Sequence, residues 1–188
     1  MQTGNLKILN MKLKEKYQKQ VIPAMKEQFG YKNDLAVPRI TKVVVNTGFN
    51  PADKNEKLQE EFAHDLALIT GQKPVSRQAK KSEAGFKIRA GMVVGLSVTL
   101  RKQLMYDFLD RLINISLPRS RDFRGLKEKS VDQNGNLNIG IKEHIIFPEI
   151  STESAKNIFG LEITVVTTGK ERKSGLAIFK LLGFPIKK

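Results

Sequence analysis

The sequence contains no cysteine among its 188 residues. Disulfide bonds are therefore excluded, and a structural zinc site is disfavoured because such sites usually depend on thiolate ligands. No apolar run approaches the roughly 20 residues that a helix needs to cross a bilayer. The opening segment, MQTGNLKILN, lacks the continuous apolar stretch and cleavage site of a secretory signal. These absences predict a cytoplasmic protein with no membrane association.

Acidic residues are also scarce, since 19 Asp and Glu face 33 Lys and Arg, which gives a net charge of +14. Self-repulsion at this charge disfavours a compact chain unless a polyanion neutralises it. The excess is focal: residues 53–70 carry five acids and two lysines, whereas residues 71–102 carry eight basic residues and one acid. A focal excess favours a docking surface for nucleic acid; a generally solvated basic surface is the alternative.

Helical periodicity is visible in four stretches, at about residues 11–29, 53–70, 102–116 and 171–182. Pro23 should kink the first helix, and Pro118 should prevent the third from continuing. The apolar residues predicted to face the core are Leu13, Tyr17, Val21, Met25 and Phe29 in the first helix, Leu58, Phe62, Leu66 and Ile69 in the second, and Leu104, Phe108 and Leu112 in the third.

Strands are predicted at residues 40–46, 94–101 and 162–168 by β-branched runs and by alternation of apolar and polar residues. The dipeptide Asn134-Gly135 predicts a hairpin that joins residues 131–133 to 137–141. No repeat or low-complexity linker is visible. The pattern predicts a single α+β domain, in which helices pack on one face of a mainly antiparallel sheet and an extended basic loop projects from it.

The other face of that sheet is predicted to be polar. In the strand at 94–101, alternation assigns four apolar residues to the core and places Ser97, Thr99 and Arg101 on the opposite side. Hydroxyl and guanidinium groups suit an RNA backbone and its 2′-hydroxyls. An ordinary solvated face is the alternative for this strand considered alone.

The densest basic stretch is RQAKKSEAGFKIRAG, residues 77–91, with five basic residues and one acid. Glycines interrupt it and it has no broad apolar face, so it is unsuited to lie in a membrane interface. Lysine and arginine contact phosphates, and glycine lets a backbone approach them. Phe86 either stacks on a base or anchors the loop to the body; anchoring is favoured, because a lone apolar group in a polar loop usually fixes its base.

Catalysis is not indicated. His64 is predicted to lie on a helix surface and His144 to be packed or solvated, and the paired carboxylates Glu60-Glu61 are typical of a solvated helix face. Residues 91–95 lack the lysine and the spacing of a phosphate loop, and no nucleophile elbow is present. We predict no enzymatic activity, no metal and no cofactor. An RNA-processing enzyme and a general RNA chaperone are the alternatives.

RNA is favoured over duplex DNA, since no helix-turn-helix, zinc finger or basic zipper is visible. A standard RNA-recognition fold is not supported either, because its aromatic pair is missing. The residue chemistry offers other candidates. Asn46 and Gln72 can each read RNA edges through two donors and one acceptor, although a turn role is equally open for Asn46. Arg119, Arg121 and Arg124 offer forked groups for phosphate, and Asp122 could pair with one of them.

Several stretches in one order resemble a known family over nearly the whole chain: VVVNTG (43–48), ITGQKPV (69–75), AKKSEAGFKIRAGM (79–92), VTLR (98–101), LPRSRDFRGL (117–126), GNLNIGIKEHIIFPEI (135–150), GLEITVVTT (160–168) and the terminal LLGFPIKK. The family is that of the bacterial-type large-subunit ribosomal proteins that bind 5S rRNA, the fifth in the usual large-subunit list.

The resemblance implies a structural constituent of the large ribosomal subunit, and therefore no enzyme. It implies that the chain attaches 5S rRNA to the central protuberance beside 23S rRNA and neighbouring large-subunit proteins. It further implies that residues 77–89 contact peptidyl-site tRNA, and that the region of the 134–135 hairpin forms an intersubunit bridge with a small-subunit protein.

The residues to which the resemblance and the residue chemistry assign these contacts fall into three groups. Those expected to bind 5S rRNA are Asn46, Gln72, Thr99 and Arg101. Those in the tRNA-contacting loop are Arg77, Lys80, Lys81, Ser82, Gly85, Phe86, Lys87 and Arg89. Further rRNA or bridge contacts are expected at Arg119, Arg121, Arg124, Asn134 and Gly135. Since family sequences often begin near MKLKEKY, Met11 is a second candidate start, and residues 1–10 are expected to form a flexible extension to a domain over 11–188.

Overall fold

A computed structural model describes residues 12–48, 56–121, 123–151 and 157–187 of the chain. The predicted extension over residues 1–10, the alternative start at Met11, the predicted helix start at Asp53 and the carboxylate of Asp122 lie outside these ranges. Within the ranges, no helix combines the length and the apolar character that crossing a bilayer requires.

The centre of the fold is a five-stranded antiparallel sheet with the strand order β2-β3-β1-β6-β5. Its strands are β1 (Ile40–Gly48), β2 (Val75–Gln78), β3 (Val93–Leu100), β5 (Leu137–Ile141) and β6 (Leu161–Thr167). A separate parallel pair, which the sequence pattern did not predict, joins β4 (Leu126–Lys127) to β7 (Ile186–Lys187). The large sheet has β1 at its middle and β2 and β5 at its two edges.

One face of the sheet forms the core. Val43 of β1 lies between Leu100 of β3 and Val165 of β6, and all three side chains are buried. The next core-facing row repeats the arrangement, with Val45 between Val98 and Ile163. Because side chains alternate between faces at every residue, this register sends the residues in between to the opposite face.

Helices cover the core face. Helix α2 (Glu56–Thr70) buries Phe62, Leu66 and Ile69, and helix α4 (Arg172–Leu182) buries Ile178 and Phe179. Both helices are followed by a glycine in the left-handed region, as predicted, with φ of 69° at Gly71 and 100° at Gly183. The predicted α+β class with an antiparallel sheet is confirmed.

The other two helices each contain a π-helical turn followed by a proline. Helix α1 (residues 13–29) consists of Leu13–Lys16, the π-helical turn Tyr17–Val21 and Ile22–Phe29. Helix α3 (residues 102–119) consists of Lys102–Arg111, the π-helical turn Leu112–Ser116 and Leu117–Arg119. Pro23 and Pro118 each stand two residues beyond the wide turn. A π-helical turn is a recognised cause of helix bending and so gives the proline ring room inside a continuing helix.

Two expectations for the third helix are therefore wrong. Pro118 does not stop it, because the wide turn absorbs the missing amide bond and the helix continues to Arg119. Leu104 is not a core residue but is 46% exposed, and a β-carbon added at Gly71 would lie 3.9 Å from its Cδ2. Phe108 and Leu112 are fully buried, as predicted.

The predicted hairpin turn is present but its first arm is shorter than expected. Only Val131 pairs across to Leu137, so residues 131–133 do not form a strand. Gly135 has φ of 78°, and a methyl group added there would lie 3.3 Å from the Cα of Gly175 in α4. Thr167 donates from its hydroxyl to the Gly135 carbonyl at 2.9 Å. The turn is therefore fixed against both the start of α4 and the end of β6.

Candidate nucleic-acid interface

The face of the sheet opposite the core carries most of its polar side chains. We call the outward residues of its four longest strands the open sheet face; they are Lys42, Val44 and Asn46 in β1, Ser97 and Thr99 in β3, Asn138 and Gly140 in β5, and Glu162, Thr164 and Val166 in β6. All of these except Ser97 are half-buried or exposed. Four strands thus present one continuous, mainly polar surface to the outside.

Ser97 departs from the expected polar face. It points to this side of the sheet but is only 3% exposed, because it lies between Asn46 of β1 and Val75 of β2. A side chain with so little accessible surface has no room for an RNA contact. The polar character of β3 on this face therefore rests on Thr99.

Two of the predicted 5S rRNA-binding residues are brought together. Asn46 pairs with Ser97, and Thr99 pairs with Val44, so the two side chains share the face and lie diagonally across neighbouring strands. Such diagonal neighbours are roughly 7–8 Å apart and can be reached by one nucleotide. Neither side chain is fully buried. Since Asn46 lies within a strand and makes paired contacts on both sides, its alternative role as a turn residue is wrong.

The other two residues of that group lie at the ends of elements. Gln72 is exposed at the turn after α2, where the buried Thr70 hydroxyl donates to the Gln72 carbonyl at 3.1 Å. Arg101 is the exposed residue between β3 and α3. Continuing the β2–β3 register from Val75↔Ser97 brings the residue after Gln72, Lys73, level with Thr99. These residues flank the open sheet face without belonging to it.

The basic loop, residues 77–91, begins with the last two residues of β2 and forms an ordered excursion that leads to β3. Ala79 donates its amide to the Met92 carbonyl at 2.8 Å, and Gly91 donates to the Ala79 carbonyl at 2.9 Å. Nearer its tip, Glu83 and Ile88 exchange amide bonds of 2.9 and 3.0 Å around the 3₁₀ turn Ala84–Phe86. Backbone bonds thus shape the loop, whereas its charged side chains extend into solvent.

Every residue predicted to contact tRNA in this loop is exposed; they are Arg77, Lys80, Lys81, Ser82, Gly85, Phe86, Lys87 and Arg89. Phe86 is 72% exposed, so the expectation that it anchors the loop to the body is wrong. The backbone bonds hold the loop while the Phe86 ring stays exposed to solvent. Ser82 instead accepts a bond from the Ala90 amide at 3.0 Å.

The remaining predicted contacts lie elsewhere. Arg119, Arg121 and Arg124 are exposed at and just beyond the end of α3. Seventeen helical steps separate Lys102 from Arg119, which at 1.5 Å per residue is about 25 Å. Asn134 is exposed at the hairpin turn, while Gly135 is buried and shapes the turn. The structure therefore separates these residues from Asn46 and Thr99 rather than joining them in one site.

Sequence reasoning did not assign a role to Asn138, Glu162 or Thr164, all of which lie on the open sheet face. The Thr164 hydroxyl donates to Asn138 Oδ1 at 2.8 Å across β6 and β5. The alternation of residues 162–168 was a usable signal for Thr164. Which strands would become neighbours could not be known from that alternation.

His144 is buried and structural, in agreement with the packed alternative. Its ring stacks on Phe159 at 3.9 Å between centroids, and its Nε2 lies 3.4 Å from the Asp65 carboxylate. Burial lowers the pKa of His144 below its ordinary value, against the opposing effect of Asp65. His64 is exposed on α2, as predicted. Across the described ranges, no group of three or more His, Cys, Asp or Glu could hold a metal ion.

Comparison with known proteins gives two matching family models. Residues 33–89 match the model described as ribosomal protein L5, and residues 93–186 match the model that describes the C-terminus of the same ribosomal family. The chain belongs to the ribosomal L5 family. The two matches include Asn46, Gln72, Thr99, residues 77–89 of the basic loop and the hairpin turn.

Individual relatives agree with the models. The chain is 53% identical over 175 residues to the large ribosomal subunit protein uL5 of Desulforapulum autotrophicum, covering 93% of this chain and 98% of the relative. It is 49% identical over 176 residues to the uL5 of Geotalea uraniireducens, covering 94% and 98%. It is 51% identical over 177 residues to the uL5c of Guillardia theta, with the same two coverages.

Family membership makes the chain a structural, non-enzymatic constituent of the large ribosomal subunit. Ribosomal RNA and neighbouring ribosomal proteins are accordingly its partners. The predicted family, class of function and location in the ribosome are confirmed.

Proposed function

We propose that the open sheet face binds 5S rRNA and that the chain thereby attaches 5S rRNA to 23S rRNA and to neighbouring proteins of the large subunit. The observation that carries this proposal is the placement of Asn46 and Thr99 on one uncovered polar face. An amide and a hydroxyl at fixed spacing can contact bases and 2′-hydroxyls with directional bonds.

Charge at the rim of the face supports the same assignment. The open sheet face itself carries one lysine, Lys42, and one acid, Glu162. Lys73, Arg77 and Arg101, all exposed, stand at its β2–β3 side. Phosphates can meet these cations while bases and riboses meet the nearly neutral centre. This arrangement separates electrostatic positioning from specific contact, as is usual in nucleic-acid interfaces.

The basic loop is proposed to contact peptidyl-site tRNA. Its exposed lysines and arginines have no partner among the described residues within ion-pair distance, and Phe86 stands free beside them. Such a combination of cations and an aromatic ring is suited to a phosphate backbone with an accessible base. The loop is closed by its own backbone bonds, so its contacts do not require rearrangement of the sheet.

Two further contacts complete the proposal. The exposed turn at Asn134, fixed against α4 and β6, is proposed to meet a small-subunit protein in an intersubunit bridge. Arg119, Arg121 and Arg124 at the end of α3 are proposed to contact rRNA through their forked guanidinium groups. Since they lie far from Asn46, they would contact a different part of the particle.

The test is a binding titration of the full chain with 5S rRNA over a range of salt concentrations. About six phosphate contacts should give a slope of log affinity against log salt of about −4 to −5. Bulk RNA should compete poorly with 5S rRNA. Flat affinity across the salt range, or equal competition by bulk RNA, would contradict a specific site and would favour a general RNA chaperone.

Replacing Asn46 with alanine sharpens that test. Loss of a directional contact to a base edge costs about 1–3 kcal/mol, so 5S rRNA affinity should fall about tenfold. The slope with salt should stay the same, because no cation is removed. Thr41, an exposed β1 residue whose hydroxyl donates to the Val166 carbonyl at 3.1 Å, offers the control substitution T41A. Equal affinity of N46A and wild type would remove the sheet face from the interface.

A further inference from the structure

An acidic residue stands inside the face that we propose to bind RNA. Glu162 pairs directly with Asn46 across β1 and β6, and its side chain is exposed. Among the residues that the structure describes, its carboxylate has neither a hydrogen bond nor an ion pair. A bare carboxylate repels phosphate, so its presence beside Asn46 calls for a ligand that offers N–H donors instead.

A groove lies beside this pair. Asn46, Gly48, Ile141, Gly160, Leu161 and Glu162 line a depression of about 310 Å³, which is within the range of small-ligand sites. Two of its lining residues are glycines, so part of the wall is bare backbone. The Thr47 hydroxyl donates to the Gly160 carbonyl at 2.9 Å and ties the end of β1 to the segment before β6. The groove is thus built from paired strands rather than from a loose loop.

The two polar side chains offer a defined pattern of hydrogen-bond groups. Asn46 supplies an amide donor, and the adjacent Glu162 carboxylate supplies two acceptor oxygens. Their β-carbons should be about 5 Å apart, as for any directly paired residues. The matching pattern on a ligand is one acceptor followed by two parallel N–H donors.

Among the four RNA bases, only guanine presents that pattern on its Watson–Crick edge, through O6, N1–H and the N2 amino group. Adenine offers a donor and then an acceptor, cytosine a donor followed by acceptors, and uracil one donor between two acceptors. A carboxylate therefore selects guanine and disfavours the other bases, which would place an acceptor against it.

We propose that the groove at Asn46 and Glu162 holds a guanine of the bound rRNA whose Watson–Crick edge is not base-paired. Glu162 accepts from N1–H and from the N2 amino group, and the Asn46 amide donates to O6. This proposal rests on the proposed binding of rRNA to the open sheet face. In this proposal Glu162 determines which base is bound, whereas the surrounding cations determine the position of the RNA backbone.

The test uses the direction in which one substitution changes the affinity for 5S rRNA. E162Q removes a negative charge from an RNA-facing surface, and charge alone predicts tighter binding of 5S rRNA. If the carboxylate accepts from guanine, E162Q should instead weaken binding by about 5- to 150-fold, as expected for loss of a paired contact to a base edge. E162D, which keeps the carboxylate on a shorter side chain, should give an intermediate affinity. E60Q on the exposed surface of α2 makes the same charge change as a control.

Kethoxal footprinting identifies the base, because this reagent adds to N1 and N2 of guanines with a free Watson–Crick edge. The wild-type chain should protect one such guanine in 5S rRNA, and E162Q should leave it reactive. Binding by E162Q that equals or exceeds wild type, with an unchanged footprint, would overturn the guanine site while leaving the 5S rRNA proposal intact. Failure of wild type to bind 5S rRNA would instead overturn the proposed function on which this site rests.

Discussion

The open sheet face and the basic loop both project polar side chains, but they differ in charge and in what holds those side chains. On the sheet face, Asn46 is set by strand pairing on both sides and Thr99 by its pairing with Val44, and the surface is almost neutral. The loop contains five cations and an exposed Phe86, and it is held by backbone bonds and by the bond from the Ala90 amide to the Ser82 hydroxyl. This difference suits the sheet to the proposed directional contacts and the loop to the proposed electrostatic ones.

Substitution of the glycine at which the sheet face and the base of the loop meet should cause the largest loss of stability. Gly95 pairs with Gly48 of β1 and Arg77 of β2, and a β-carbon added to it would lie 2.5 Å from the Thr47 carbonyl oxygen. G95V should force β3 away from β1 and cost about 2–3 kcal/mol in the free energy of unfolding. Urea denaturation measures this loss, and both surfaces should be impaired together.

Gly140 provides the matched control for that substitution. It lies on the edge strand β5, and a β-carbon there would meet no atom within 4 Å. G140V should change the free energy of unfolding by no more than about 0.5 kcal/mol. Similar destabilisation by both variants would show that the close approach at Gly95 is not what limits this part of the sheet.

Charge reversal in the loop should separate the two surfaces. K80E combined with K81E is expected to weaken the proposed contact with peptidyl-site tRNA strongly, because two acids would then repel the phosphates. Affinity for 5S rRNA should change by no more than about threefold, since both lysines lie outside the sheet face and act on it only through screened charge. Filter binding to 5S rRNA and tRNA retention by ribosomes carrying the variant give the two readouts.

Reversal of Lys12 and Lys14, two exposed cations at the start of α1, provides the same change in net charge. This control should alter neither readout beyond the general effect of charge. If the loop variant lost 5S rRNA binding as fully as tRNA contact, the loop and the sheet would form one surface rather than two.

Truncation of Phe86 should have the smallest effect on stability. Because the ring is exposed, F86A should leave the free energy of unfolding within about 0.5 kcal/mol of wild type. If Phe86 anchored the loop, its truncation would instead lower the free energy of unfolding by about 3–5 kcal/mol. Thermal denaturation distinguishes the two values, and tRNA retention should still decrease if the ring stacks on a base.

Local patterns predicted most of the fold. Apolar residues at helical spacing located α2 and α4, and the glycines after them marked their ends, because capping is a short-range property. The continuation of α3 past Pro118 was missed, since a proline in a periodic segment usually ends it and a π-helical turn has no clear sequence signal. The β4–β7 pair was missed because its two strands have two residues each and are far apart in the chain.

The candidate site could be predicted only in part from the sequence. Asn46, Thr99 and the loop cations could be selected by residue chemistry and by resemblance, each on its own segment. That Glu162 faces Asn46 depends on the pairing of strands more than a hundred residues apart, and a single sequence contains no information on register at that distance. Phe86 was assigned wrongly because the backbone bonds that replace an apolar anchor were not visible in the sequence.

The two edge strands of the sheet affect whether the chain aggregates before it joins the subunit. Strand β2 has only four residues and carries Arg77, and β5 has five residues and is followed at once by Lys142 and Glu143. Short edge strands flanked by charged residues are poor templates for pairing with a strand of another molecule, and many β proteins avoid aggregation in this way. A newly synthesised copy that has not yet bound rRNA should therefore resist strand pairing with other copies.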